Sequence, residues 1–384
     1  MNYDFDYVIN RRHTDSTKWN VKDNELPMWI ADMDFLPPKE ITDEFHKKID
    51  EEVLGYTTVT EEWYKRYQNW WMHRYNHKIE KEWLLYCSGI VPGITSILRV
   101  LGKPEDRVIL LTPVYNAFFY AIEKSGRKVI ECPMDYEKNQ YSINFERLEE
   151  VMKEESNKFL ILCNPHNPSG NIWSKEELLK ISELVDQYNM ILISDEIHCD
   201  ITEPGYSYIP YASISEKARN HSITCIAPTK AFNLAGTKSS AIYIPKEEYR
   251  KKIEAQFIND WIASPNSFGV LATCAFEKGE EWLNQMCAYV FENRKYAEEY
   301  IEKNIPILST VKSHATYLLW IDISKTNLDS ETFYTKLRET TGLYITAGKN
   351  YGEAGNHHMR FNLACPRVTL EDGLNRLKEF WETL

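Results

Sequence analysis

Between about residues 83 and 245, short apolar runs alternate with amphipathic stretches. The runs lie at 83–87, 107–111, 128–133, 158–163, 190–194, 222–227 and 241–244. They are rich in Ile, Leu and Val and mostly lack polar alternation, the pattern of strands covered on both faces. In the stretches between them, Ile94, Ile97, Leu98 and Leu101 recur at helical spacing, and Gly102 follows as a stop. Ser174 and Glu177 read as a capping box ahead of a stripe of Leu178, Ile181, Leu184, Val185 and Tyr188. Repeated strand–helix–strand order predicts an α/β domain over residues 48–288, with a large, mostly parallel seven-stranded sheet between helical layers. Beyond it, charged helical stretches at 280–304, 330–340 and 369–384 flank short strands at 316–321 and 358–363. That change of character predicts a smaller α+β domain over 289–384. Residues 1–47 are assigned to an N-terminal arm and part of the small domain. Pro27, Pro37 and Pro38 make the first 45 residues read as extended chain.

Composition narrows the class. A chain of 384 residues can bury two cores without disulfides. Its 45 Lys and Arg against 57 Asp and Glu leave a net charge of −12, opposite to the excess that a phosphate-tracking surface requires, so no nucleic acid is expected as partner. Cys87, Cys132, Cys163, Cys199, Cys225, Cys274, Cys287 and Cys365 form no CxxC pair and sit mostly beside apolar residues, which reads as reduced thiols in a cytoplasmic protein. The first twelve residues include acids and no apolar stretch, so no signal peptide is expected. No apolar run approaches the ~18–20 residues needed to span a membrane. His357-His358 has no third ligand at suitable spacing, so no metal is expected.

Ligands of open α/β sheets bind beyond the carboxyl ends of the strands, so the residues that follow each run carry the candidate chemistry. After the first comes Ser88-Gly89-Ile90-Val91-Pro92-Gly93 and then a helix, either a plain turn or a phosphate cradle. After the fourth comes Asn164-Pro165-His166-Asn167-Pro168-Ser169-Gly170, a rigid turn that presents amides. After the fifth, Asp195 is either a helix cap or a ligand to a cation. After the sixth, Lys230 is followed by the largely apolar Ala231-Phe232-Asn233-Leu234-Ala235-Gly236. It is either a solvated lysine or a desolvated amine able to form a Schiff base. A phosphate cradle, an amide, a carboxylate and a lysine at one sheet edge match the parts of pyridoxal 5'-phosphate.

Asn164 to Gly170, Ser194-Asp195-Glu196-Ile197-His198 and Ala227-Pro228-Thr229-Lys230 resemble the signatures of fold-type I aminotransferase-like enzymes. The resemblance narrows at Tyr3-Asp4-Phe5-Asp6, Arg11-Arg12, Lys18-Trp19, Pro27-Met28-Trp29-Ile30-Ala31-Asp32-Met33-Asp34-Phe35 and Leu54-Gly55-Tyr56-Thr57. These are similar to the MalY/PatB-type cystathionine β-lyases, which include cystalysin-like cysteine C–S lyases. The similarity extends to Met359-Arg360-Phe361-Asn362-Leu363-Ala364-Cys365-Pro366 and covers essentially the whole chain.

The resemblance implies a fold-type I pyridoxal-phosphate enzyme and assigns roles. Lys230 would bind the cofactor covalently and, once released, move protons at Cα and the leaving sulfur. Asp195 would pair with the pyridinium nitrogen. Asn167, helped by His198, would bind the phenolic oxygen, and Tyr115 would stack on the ring. Gly89 and Ile90, with Thr229 and Lys238, would hold the phosphate. Tyr56 would reach it from the other subunit of a homodimer. Arg360, with Asn167 and the backbone at Ala31, would clamp the substrate carboxylate. In a strand at 358–363, Arg360 faces away from Met359 and Phe361, and its partner is either a substrate carboxylate or an internal acid. Two positions depart from the wider class: Ala227 stands where Ser is frequent, and Lys238 where Arg is frequent. The implied reaction is α,β-elimination of L-cystathionine, and of L-cysteine, to a thiol, pyruvate and ammonia. The motifs alone also fit an aminotransferase of an L-amino acid. A regulator that binds a transcription activator is the non-catalytic alternative, although no partner surface can be read from the sequence.

Overall fold

The computed structural model describes residues 3–383; Met1, Asn2 and Leu384, the outermost residues of the expected arm and last helix, lie outside the described residues. All seven apolar runs form strands. They are β1 (Leu84–Cys87), β2 (Arg107–Thr112), β3 (Lys128–Pro133), β4 (Asn157–Cys163), β5 (Ile191–Asp195), β6 (Ser222–Ile226) and β7 (Ser240–Tyr243). Among the described residues they make one sheet, in the order β1-β7-β6-β5-β4-β2-β3. The pairs from β6 across to β3 are parallel, and β7 runs antiparallel to both β1 and β6.

Alternate residues of each strand feed opposite layers, which is why the runs are apolar throughout. Val108, Leu110, Phe159, Ile161 and Ile193 pack with Ile94, Ile97 and Leu98 of the helix Ile90–Leu101. Ile109, Leu111, Leu160, Leu162 and Leu192 pack with Leu178, Ile181 and Val185 of the helix Lys175–Gln187. The Ser174–Glu177 capping box closes that helix's first turn.

The C-terminal part carries a second, antiparallel sheet. Its strands β8 (Ser309–Thr310), β9 (Leu318–Asp322), β10 (Thr346–Ala347) and β11 (His358–Asn362) lie in the order β8-β9-β11-β10. The arm joins this part through Leu26–Pro27, which pairs in parallel with Leu343–Tyr344. Positions 48 and 289 fall inside the helices Lys39–Asp50 and Glu280–Asn304.

Three local expectations are corrected. The arm is not extended to residue 45, because a helix spans Lys39–Asp50. Pro38 stands immediately before its first turn, where a missing N–H costs nothing, and Ile41 is buried. The strand expected at 316–321 starts at Leu318, because Thr316 has φ 65°, a left-handed conformation that no strand continues through. The strand expected at 190–194 extends through Asp195. All eight cysteines are buried and unpaired. Among the described residues, no helix is long and apolar enough to cross a membrane.

Candidate active site

The adjacent strands β4, β5 and β6 deliver the candidate residues to one edge. Asp195 is the last residue of β5 and lies in register with Cys163 of β4 and Cys225 of β6. Asn167 follows β4 by four residues, and Lys230 follows β6 by four. The turn after β4 is closed by Gly170 N–H donating to His166 O at 2.6 Å and by a contact of 2.8 Å between His166 Nδ1 and Ser169 Oγ. Gly170 has φ 71°, and a Cβ there would meet Ser313 Oγ at 1.8 Å, so the turn requires glycine.

Lys230 Nζ donates to the Ala31 carbonyl oxygen at 2.6 Å. Burial lowers the amine to about 8, Asp32 opposes that shift, and Arg360 reinforces it. Asp195 is buried, and Ile197 N–H donates to its Oδ1 at 3.2 Å. Desolvation raises this carboxyl to about 7. Burial first, then Lys230 and Arg360, lower His198 to about 3, so its ring is neutral, and its Nδ1 has no partner.

Arg360 is buried on β11, between Met359 and Phe361 of the core. Its Nη1 donates to Asn167 Oδ1 at 3.2 Å and its Nη2 to the Trp29 carbonyl at 2.8 Å, while Nε has no partner. Its Cζ stands 5.0 Å from the Tyr351 ring centre. Neither of those oxygens belongs to an acid, so the guanidinium keeps an unneutralised charge facing a cavity. That cavity, of about 440 Å³, is lined by Trp29, Ala31, Tyr115, Lys230, Tyr351 and Arg360, among others. A second opening shares Ala31 and Lys230 with it and is bordered by Arg11, Asp32, Asn233 and Lys238.

The remaining expected residues separate into two groups. Gly89 precedes the helix Ile90–Leu101, whose first turn has no side-chain cap, so the N–H groups at its start are free for an anion. Thr229 is buried beside Lys230, and Tyr115 lies partly buried on the cavity wall. Lys238 is exposed and left-handed, with φ 54°. Tyr56 is brought to no part of this site: its side chain is fully exposed.

Sequence reasoning assigned no role to several residues that shape the site. Asp32 and Asp34 pair with Arg11 at 2.7 and 2.9 Å, and Asp34 also pairs with buried Lys18 at 2.7 Å. Asn233 Nδ2 donates to the carbonyls of Met33 and Phe35 at 3.1 and 2.8 Å. The Arg11-Arg12, Lys18-Trp19 and Asp32-Met33-Asp34 motifs were the available signal.

The donor set fits pyridoxal phosphate. A buried carboxylate without a cation suits a ring N–H, and an uncapped helix start suits a phosphate. The unpartnered His198 Nδ1 and the Asn167 amide suit a phenolic oxygen, and a low-pKa lysine suits an aldehyde.

Residues 26–377 match the family model of aminotransferase class I and II. The chain is 35% identical to cystathionine beta-lyase PatB of Bacillus subtilis strain 168, over 97% of this chain and 98% of that protein. It superposes on cystalysin from Treponema denticola, a structure containing pyridoxal 5'-phosphate, with a TM-score of 0.95 and 33% identity over the whole of both chains. It superposes on the PLP-bound C–S lyase from Staphylococcus hominis with a TM-score of 0.92 and 31% identity, covering 99% of this chain and 98% of that one.

Proposed function

The chain belongs to the aminotransferase class I and II family, and from that premise we propose a pyridoxal 5'-phosphate-dependent carbon–sulfur lyase that eliminates homocysteine from L-cystathionine and hydrogen sulfide from L-cysteine, water then hydrolysing the released aminoacrylate to pyruvate and ammonia. One observation carries the reading: Lys230 and Arg360, a lowered-pKa amine and an unneutralised guanidinium, face the same cavity. That is the pairing needed to hold an α-carboxylate while a base works at the neighbouring Cα.

Bound here, the cofactor supplies an electron sink for the pair left at Cα. Lys230 takes the Cα proton and returns a proton to the departing sulfur, a task suited to an amine that titrates near 8. Asp195 would hold the proton on the ring nitrogen. Asn167, whose Oδ1 is engaged by Arg360, would offer its Nδ2 to the phenolic oxygen, beside neutral His198. Tyr115 would stack on the ring. The N–H groups of Gly89 and Ile90, the Thr229 hydroxyl and the Lys238 ammonium would hold the phosphate. Arg360, Asn167 and the Ala31 backbone take the substrate carboxylate.

Tyr56 completes the phosphate site from a second copy in a homodimer. Its full exposure, together with that of neighbouring Val53 and Leu54, supports this placement. Eight buried, unpaired thiols support action in the reducing cytoplasm.

Incubating the purified protein with L-cystathionine while assaying pyruvate and free thiol tests the reading. Both products should accumulate without an added keto acid. Turnover that requires a keto acid would make it an aminotransferase.

A further inference from the structure

The segment from Trp29 to Met33 crosses the site without belonging to a strand, so its carbonyls need donors from elsewhere. Each finds one. Trp29 O accepts from Arg360 Nη2 and Thr346 Oγ1, both at 2.8 Å. Met33 O accepts from Arg11 Nη1 at 2.9 Å and Asn233 Nδ2 at 3.1 Å. Between them, Asp32 N–H turns back to Ile30 O at 2.9 Å, which places Ala31 at the tip of a tight turn. Asn362 grips both ends of that turn: its Nδ2 donates to Ile30 O at 2.7 Å and to Asp32 O at 2.8 Å. Its Oδ1 is fixed by Ala364 N–H at 2.8 Å, and its side chain is buried. The Ala31 carbonyl, thrust out at the tip, meets Lys230 Nζ.

We propose that Asn362 is a positioning residue for Lys230: by clamping the Ile30–Asp32 turn it aims the Ala31 carbonyl at Nζ and so sets where the amine rests whenever it carries no other bond. The inference rests on the reading of Lys230 as the acting amine. Two residues apart on β11, Arg360 and Asn362 share one side of the strand. One strand therefore places both the anchor for the substrate carboxylate and, through the turn, the base.

The charged and titratable groups acting on the amine are Asp32, Arg360, Asp195 and Lys238, with His198 alongside. A carbonyl acceptor favours the ammonium form, so losing it lowers the amine further. The test uses Asn362→Leu, of similar size without donors, and Asn362→Ala, which removes the same donors without adding bulk or charge. In cofactor-free protein, the pH dependence of Lys230 labelling by an amine-directed reagent is read by peptide mass spectrometry. Either variant should label Lys230 roughly threefold faster at pH 7, the change a half-unit fall in pKa produces. The other lysines should be unaltered. A folded variant with the native Lys230 profile overturns the inference, and Asn362→Ala decides it if Asn362→Leu does not fold. Borohydride trapping of the wild-type cofactor on another lysine would instead overturn the underlying reading of Lys230.

Discussion

Arg360 Nη1 donates to Asn167 Oδ1 at 3.2 Å, so the guanidinium of β11 and the amide of the turn after β4 orient one another across the cavity. Arg360→Lys keeps the charge but loses the planar fork. It should raise KM for cystathionine and lower kcat/KM by roughly 10²-fold, the size expected when charge-assisted hydrogen bonds are lost. Because Asn167 loses its restraint, the visible absorption of the bound cofactor should also shift. Steady-state kinetics and a spectrum of the same preparation check both, and an altered KM with an unchanged spectrum would separate the two roles.

Lys230 should carry the cofactor. The purified protein is expected to be yellow, and borohydride should fix the cofactor on the peptide containing Lys230. Lys230→Ala should remove that adduct and cut kcat by roughly 10³-fold or more, because both proton transfers at the substrate lose their agent. Peptide mapping and a pyruvate assay are the measurements.

Asp195→Asn should fold normally, since the two side chains are nearly isosteric. An amide cannot hold the ring proton electrostatically, so kcat/KM should fall by roughly 10³-fold. Near-native turnover with cofactor bound would reduce Asp195 to the turn contact it makes with Ile197 N–H.

The same carboxyl gives a pH signature without cofactor. Burial raises Asp195 to about 7, and Glu196, buried against Ser194, Tyr208 and Tyr211, is raised to a similar value. Both lie above the unfolded carboxylate range, so the folded state binds more protons between about pH 4 and 7. Their contribution to stability is complete below that window and is lost as pH rises through it. The urea midpoint of cofactor-free wild type minus that of Asp195→Asn should therefore fall across the window, while buried neutral histidines such as His166 and His198 add an opposite slope to both proteins. Asp195→Asn should flatten part of the slope and leave the part due to Glu196.

Mixing Tyr56→Phe subunits with Lys230→Ala subunits should restore activity. If Tyr56 acts across the dimer, each mixed dimer has one site with both defects and one with neither. Sedimentation should give a dimer. No recovery despite demonstrated subunit exchange would place Tyr56 outside the partner's site.

The sheet was legible because its strands are buried on both faces. Val108 to Leu111 and Phe159 to Leu162 show no polar alternation, and each run ends at a residue with distinct chemistry. Lys230, Asp195 and Asn167 could be read for the same reason: each follows such a run closely, so local order along the chain implies proximity in space. The arm was not legible in this way. Ile30 and Asn362 are 332 residues apart, and no periodicity links them. The helix Lys39–Asp50 was hidden by reading Pro37 and Pro38 only as breakers, although proline is favoured at a helix start. Thr316 breaks the expected strand through a backbone angle that its β-branched side chain does not announce.

The grip on the Trp29–Met33 segment also sets an order of assembly. Side-chain donors to its carbonyls come from Arg11, Lys18, Lys230, Asn233, Thr346, Arg360 and Asn362. Arg11, Lys18, Lys230 and Asn233 are all translated before β11, but the side-chain donors to Trp29 O and Ile30 O, Thr346, Arg360 and Asn362, lie on or beside it, so that part of the grip cannot form until β11 has emerged. Until then the Ile30–Asp32 turn lacks its Asn362 clamp, and the site lacks the guanidinium of Arg360. The carboxylate anchor and the clamp on the Ala31 turn thus depend on β11, far downstream of the sheet that carries Lys230.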